Sequence, residues 1–386
     1  MTEKWALICG SHINAYSIVA SLAAIGWGGR VVCVKTPFRS RALMELAGRD
    51  AEVWQLALHT SAELLPALND RIPESDKKVI FFTSECFLEA FRDHDDKALP
   101  NSRYFIGSST HLDTILDRHL FYRYVRKNGL APVPRTIPGD EDPSSAFGDR
   151  FCIRMKRSWK GLRKLAGRVK LVTSREQRRR VESTYRASGL SAEDWCYQEA
   201  LSTSVQHNVS VCGWHDEKHR SYFATRHALK YPDAFGNGDV TKRINPPNGL
   251  FVSARAVLEA LDYQGPFELE FILDREQGVY RAIELNPRFW MQHGLIEAIT
   301  DHELVRRYVG QDVKKASIST DKRYWVYTLK ALHRLLRLDR GILRYLTDDR
   351  TVLVPPYHIA LRRIGQCLLN GFDGLTAVSH DNRVSG

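Results

Sequence analysis

The chain's seven cysteines, at positions 9, 33, 86, 152, 196, 212 and 367, never fall in a C-x-x-C pair. Their odd number and scatter exclude a disulfide framework and offer no zinc site, so a reducing interior suits them best. Long apolar runs are missing as well. Residues 15–29 are broken by two serines and three glycines, and read as helix, turn and strand start where a membrane span needs about 20 apolar residues. MTEKWALICGSHINAYS lacks the basic and apolar segments of a secretory leader, which makes the cytoplasm the expected location. The turn at Gly10-Ser11-His12 lacks the glycine spacing of a dinucleotide fingerprint, and neither an internal repeat nor a low-complexity tract occurs.

What the chain does carry is positive charge. A formal net charge of +11 over 386 residues predicts attraction to anions, whether nucleotides, acidic metabolites, nucleic acid or a phospholipid surface. The cations are densest over 154–180, where a solvated helix face is the plain explanation. Hydrophobic content of 43% and charged content of 26% are those of a globular chain, and the length predicts two or three domains.

Short apolar runs alternate with helical patterns over 1–108. WALIC (5–9), RVVCV (30–34), a run near 52–56 and KVIFF (78–82) predict a parallel α/β sheet with any ligand at the strand C-termini. A helical pattern over 110–128 ends at Gly129, and the proline-rich LAPVPRTIPGDEDP opens a new unit. There RFCIRMK (150–156), WCYQEAL (195–201), NVSVCGW (208–214), SYFATRHAL (221–229), FELEFILD (267–274) and VYRAIEL (279–285) read as antiparallel strands, with a helix over 251–262. From 315 onward, Trp325, Leu329, Leu332 and Leu336 recur at helical spacing among cations, so a helical extension packed on its own domain is expected.

The last two strands hold the chemistry. Side chains alternate faces along a strand, so Glu268 and Glu270 share one face of the first, and Glu284 and Asn286 share one face of the second. Pairing brings three carboxylates and an amide to one surface, where like charges repel unless a cation intervenes. Mg²⁺ takes oxygen ligands of this kind and shares substrate phosphates. Pro287 then ends ladder pairing and leaves Arg288 to reach a phosphate or a developing oxyanion. A solvated sheet face accounts for the same alternation without chemistry.

GPFELEFILD followed by YRAIELNPRFW resembles the signature of the ATP-grasp superfamily, most nearly its carboxylate-amine ligase branch. The resemblance spans roughly residues 1–310. LDRHLFYRYVRKNGLAPVPRT is similar to the entry of the nucleotide domain, with Asp117-Arg118 where relatives have Asp-Lys. It implies an ATP-grasp fold, α/β and α+β, with a Rossmann-like pre-ATP-grasp domain over 1–108 and a nucleotide-binding and catalytic domain over 109–314, to which the helical spacing of the tail adds a C-terminal extension over 315–386. It further implies ATP with Mg²⁺, or Mn²⁺, held by Glu270, Glu284 and Asn286, and Arg288 at the transferring group. Lys156 corresponds to the strand lysine that reaches the nucleotide, with Arg154 on the same strand face as the alternative. Glu199, Ala200 and Leu201 correspond to the hinge that meets adenine, and Arg226 and Lys230 to the cations at the terminal phosphate.

The chain departs from the family pattern in three further places. RSWKGLRKLAG (157–167) is basic with only two glycines where relatives carry a glycine-rich loop. STSVQHN (202–208) offers Gln206 or His207 where an acidic residue meets the ribose. Met291 and His293 stand where relatives carry small residues, which predicts a role in shaping the substrate pocket.

The implied activity is that of an ATP-dependent carboxylate-amine ligase, which forms an amide (peptide-like) bond through an acyl phosphate and releases ADP and phosphate. Positioning and charge neutralisation dominate phosphoryl transfer, and no Cys-His or Ser-His spacing points to a covalent protein intermediate. Two alternatives stay open: another ATP-grasp phosphoryl transfer without ligation, and an inactive basic scaffold or nucleic-acid-binding protein, although no nucleic-acid motif is present. The partners expected are small-molecule carboxylate and amine substrates and a second copy in a homodimer, with no nucleic acid and no transmembrane segment.

Overall fold

Five short parallel strands begin the fold: β1 (Lys4–Cys9), β2 (Arg30–Lys35), β3 (Glu52–Gln55), β4 (Lys77–Phe82) and β5 (Ser102–Tyr104), in the order β3-β2-β1-β4-β5. The structure, a computed structural model, describes residues 2–10, 13–35, 51–56, 63–92, 99–157, 169–201, 207–231, 237–313, 318–337 and 339–355. A sheet covered on both faces needs near-continuous apolar strands, which WALIC and KVIFF supply. Ala6 and Ile8 pack toward helix Ile13–Ala24, while Trp5, Leu7 and Cys9 fill a separate core. Gly10 ends β1 at φ +134°, and a Cβ there would meet Thr83 Oγ1 at 1.8 Å, so only glycine serves.

The single helix expected over 110–128 is two helices, Leu112–Leu116 and Arg118–Lys127. Asp117 parts them in an extended conformation, and its carboxylate accepts from the amides of His119 (2.9 Å) and Leu120 (3.1 Å). This N-cap satisfies donors that a continuous helix would leave to its own carbonyls, and it starts the second helix at Arg118.

Two antiparallel sheets follow. β6 (Thr136–Pro138), β7 (Phe151–Met155), β8 (Val169–Val172) and β9 (Trp195–Glu199) lie in the order β6-β9-β7-β8. Phe151, Ile153, Met155, Trp195 and Tyr197 bury one face, and alternation leaves Cys152, Arg154, Cys196 and Gln198 on the other. The large sheet combines β10 (Asn208–His215), β11 (Arg220–Tyr231), β12 (Asn237–Ile244), β13 (Gly265–Asp274), β14 (Val279–Asn286), β15 (Tyr324–Tyr327) and β16 (Thr351–Val354), in the order β14-β13-β10-β11-β12-β15-β16. Cys212, Trp214 and Trp325 pack its front toward the first unit. Val209, Val211, Leu269 and Phe271 pack its back against helix Leu250–Ala260.

The tail corrects an expectation. It is not purely helical, because Trp325 lies fully buried in β15 and the helix begins only at Thr328. Aromatic and β-branched residues in YWVY favour a strand, and pairing of Val326 with Val240 of β12 completes it. The sheet therefore runs across the boundary expected at 314/315. Leu336, at the end of helix Thr328–Leu336, is 81% exposed and not part of a buried stripe. Most of the basic loop, 158–168, and positions 202–206 with Gln206 lie outside the described residues. No helix among the described residues is long and apolar enough to cross a membrane.

Candidate active site

Register sets the site. Glu270 on β13 lies opposite Glu284 on β14, and Glu268 lies opposite Asn286. On the other side of β13, Ser210 and Cys212 of β10 lie opposite Glu270 and Glu268. Three carboxylates and an amide thus share the front face. Asn286 Nδ2 donates to Glu268 Oε2 at 3.0 Å and to Glu270 Oε1 at 3.3 Å, bridging the two acids. Burial, and then the charge of Glu270, push Glu268 up to about 8. Burial and the charge of Glu284 raise Glu270 as well, against hydrogen bonding from Asn208 and the charges of Lys230 and Arg154.

Cations come from other elements. Arg154 of β7 donates to Glu284 Oε2 at 3.1 Å, and Arg118 closes on Oε1. Arg118 is positioned by its place just after the Asp117 cap, and its Nη1 also donates to the carbonyls of Met155 and Lys156, each at 3.3 Å. Gln198 Oε1 accepts from Arg154 Nη1 (3.4 Å) and from the Tyr122 hydroxyl (3.2 Å), which also donates to the Ile283 carbonyl at 2.7 Å. These bonds join the small sheet to β14. Burial pulls Lys230 below the usual lysine range, while Glu270 opposes the fall.

Arg288 reaches the first unit. Its Nη2 donates to Asn286 Oδ1 at 3.1 Å and to Glu85 Oε1 at 3.0 Å, at the start of helix Glu85–Arg92. The Glu85 side chain is only 6% exposed, so this pair is held away from solvent.

Several candidates stand elsewhere. Arg226 lies opposite Val209, on the back face, because Thr225 one residue earlier is the partner of Ser210. Lys156 follows the end of β7; its amide donates to the Asp194 carbonyl at 2.9 Å, and Arg154 is the β7 cation that meets the carboxylates. The Glu199 carboxylate is occupied by Arg281 (3.0 Å) and Arg135 (3.3 Å), and its amide donates to the Arg135 carbonyl at 3.0 Å. The Ala200 carbonyl accepts from Arg150 at 3.3 Å. Leu201 follows them at the end of the described segment. His293 is fully buried, and its Nδ1–H donates to the Trp290 carbonyl at 2.7 Å, so it belongs to the core and not to a substrate pocket.

Sequence reasoning leaves out Glu85, Gln198, Ser210, Asn208 and Tyr122. Strand alternation signals Gln198 and Ser210. Nothing local signals Glu85, which meets Arg288 from another unit.

The donor set fits a hard cation in kind, since Glu268 and Glu270 crowd oxygens whose negative charge their surroundings disfavour. Among the described residues, no three His, Cys, Asp or Glu side chains already enclose a metal position. Glu284 and Asn286 would join such an ion by exchanging their present arginine partners for it.

Two antiparallel sheets joined across a polar cleft, preceded by a parallel α/β sheet, define the ATP-grasp class of fold. Residues 247–311, which span β13, β14 and Arg288, match the family described as carbamoyl-phosphate synthase L chain, ATP binding domain. Solved structures agree in fold. N5-carboxyaminoimidazole synthetase from Staphylococcus aureus, complexed with ADP, aligns with a TM-score of 0.62 at 15% identity, over 88% of this chain and 87% of that one. Biotin carboxylase from Campylobacter jejuni aligns at 0.59 and 16% identity, over 81% and 72%. Pyruvate carboxylase from Rhizobium etli aligns at 0.61 and 16%, over 80% of this chain but only 28% of that much longer one. No curated protein sequence matches. The chain therefore shares the fold of the ATP-grasp proteins, and its residues 247–311 carry the match to their ATP-binding domain.

Proposed function

We propose that the protein is an ATP-dependent ligase that joins a carboxylate to an amine. One observation carries this: Glu268, Glu270 and Glu284 share a cleft with Arg118, Arg154 and Lys230. Groups for a nucleotide's phosphates and groups for its accompanying cation therefore alternate within a single site. A bound Mg²⁺ would screen the phosphate charge. Glu270 and Glu284, with Asn286, are the residues proposed to hold it, and Mn²⁺ would suit the same oxygens.

The chain's own residues supply the rest. Arg154, Arg118 and Lys230 place the phosphates, with Arg154 taking the part that Lys156 shares by sequence. The main chain at Glu199, Ala200 and Leu201 is the segment proposed to meet adenine. Arg288 faces the reacting group, and Glu85 fixes its direction. An oxygen of the substrate carboxylate attacks the γ-phosphorus as the bond to the β-phosphate oxygen breaks, giving ADP and an acyl phosphate. The amine nitrogen then attacks the acyl carbon, phosphate leaves, and nitrogen gives up a proton.

The test is phosphate release from ATP across a set of amino acids and small acids, each with and without amines, followed by product mass. Two of the neighbours are named carboxylases, so bicarbonate belongs in that set. Release that needs both an acid and an amine, with a product of their summed mass less water, supports the ligase. Release with an acid alone would favour phosphoryl transfer without ligation.

A further inference from the structure

Arg226, expected from the sequence at the reacting phosphate, instead lies on the back of the large sheet. Register sets it beside Val209 of β10 and Lys242 of β12, and sets Lys242 beside Tyr324 of β15. Apolar side chains flank this pair on both sides. Tyr222 and Ile244 pack with the core under helix Leu250–Ala260. Leu229, Val240 and Tyr324 pack with Ala331, Ile342 and Tyr345 of the C-terminal elements. Two half-buried cations therefore stand side by side on the sheet between two apolar cores.

More positive charge surrounds the pair. Burial, and then the charges of Arg323, Arg226, Arg344 and Arg350, hold Lys242 below the usual lysine range. The Arg323 amide donates to the Arg350 carbonyl at 2.7 Å, which fixes the entrances of β15 and β16 together beside it. Arg350 is neutralised by Asp348 through bonds of 2.9 and 2.8 Å. Among the described residues no carboxylate pairs with Arg226, Lys242 or Arg323. Asp239, on the same strand as Lys242, is taken by Lys330 at 3.0 Å and Arg334 at 2.8 Å. Like charges at paired strand positions destabilise a sheet, and an anion offsets that repulsion.

We propose that this cation pair is a second anion site, on the opposite face of the sheet from the carboxylates, for a compact ligand carrying a polyphosphate group. Arg226 offers a planar fork and Lys242 a point charge, a pairing suited to adjacent phosphate oxygens, with Arg323 nearby. Nucleic acid suits the pair less well. Tyr324 and Tyr345, the rings beside it, pack edge to face on each other at 5.2 Å, unlike the row of rings on which successive bases stack.

The test is calorimetric titration of the full chain with tripolyphosphate at about 150 mM salt, where loose surface charge is screened. It compares the wild type with Arg226→Gln/Lys242→Gln and with Arg154→Gln. The double variant is expected to bind at least about tenfold more weakly, while Arg154→Gln keeps this site. Arg226→Lys/Lys242→Arg preserves the charges and retains binding within about threefold, which separates loss of ligands from loss of fold. Several results would overturn the proposal: binding unchanged in the double Gln variant, binding lost only in Arg154→Gln, or no binding at this salt. Tighter binding of a single strand of about 20 nucleotides, abolished by the same double variant, would overturn it in favour of a nucleic-acid surface.

Discussion

Arg154 on β7 and Glu284 on β14 come from different sheets and meet at 3.1 Å, with Arg118 on the other carboxylate oxygen. None of the three side chains is more than 15% exposed, so water screens them weakly. The carboxylate neutralises two cations that would otherwise be buried alone, and the three groups fasten the base of the cleft.

Glu284→Gln is therefore expected to affect stability and chemistry together. Leaving two guanidiniums short of a counter-charge removes about 3 kcal/mol of stability, and ATP-dependent phosphate release falls at least about a hundredfold. Added ADP raises the melting temperature of this variant more than that of the wild type, because phosphate takes the place of the lost carboxylate. Wild-type melting and turnover in the variant would count against both the clamp and the site.

Mg²⁺ and ATP together are expected to raise the melting temperature by more than the sum of their separate shifts. Phosphates that drew Arg118 and Arg154 away would free Glu284 for the ion. Strictly additive shifts in thermal denaturation would argue for independent sites.

Arg288 and Glu85 are predicted to act as a unit. Arg288→Lys and Glu85→Gln each lower phosphate release, and the double variant is little worse than either, with a coupling of about 1–2 kcal/mol in kcat/KM. Independent, multiplying effects in this cycle would rule out a positioning role for Glu85.

His293 gives a pH dependence. Burial holds it down at about 4 in the folded chain, against about 6.5 unfolded. A histidine with a lowered folded pKa is neutral in the fold, so its contribution is complete above about 6.5 and is lost as pH falls toward 4, up to about 3 kcal/mol. Melting temperatures between pH 7.5 and 4 should fall more steeply for the wild type than for His293→Gln. Parallel curves would remove His293 as a cause of acid sensitivity.

Strands with clear alternation or a continuous apolar run are legible in the residues themselves, because burial on one face or on both leaves its period in the chain. WALIC, KVIFF and the β13–β14 pair fall within a residue or two of their expected positions. β12 is harder to see, since NGDVTKRI sets Val240 and Ile244 among polar residues and its apolar face is defined only by partners distant in sequence. The tail misleads because Trp325 and the leucines fit a helical period by count, whereas Trp325 belongs to the sheet. Within the site, the local pattern exposes Glu270, Glu284, Asn286 and Arg288. The assignment of Arg226 fails by one residue of strand parity. Glu85 and Arg118 meet the site only through tertiary packing.

The pairing of β12 with β15 has a consequence for any shortened form of the chain. Ending it after residue 314 would strip the backbone partners from Val240, Thr241 and Lys242 and uncover the apolar ring of Val326 and Ala331 contacts around Val240. A long bare edge of this kind recruits strands from other molecules. Such a fragment would retain every residue proposed for chemistry and yet be lost from solution as aggregate.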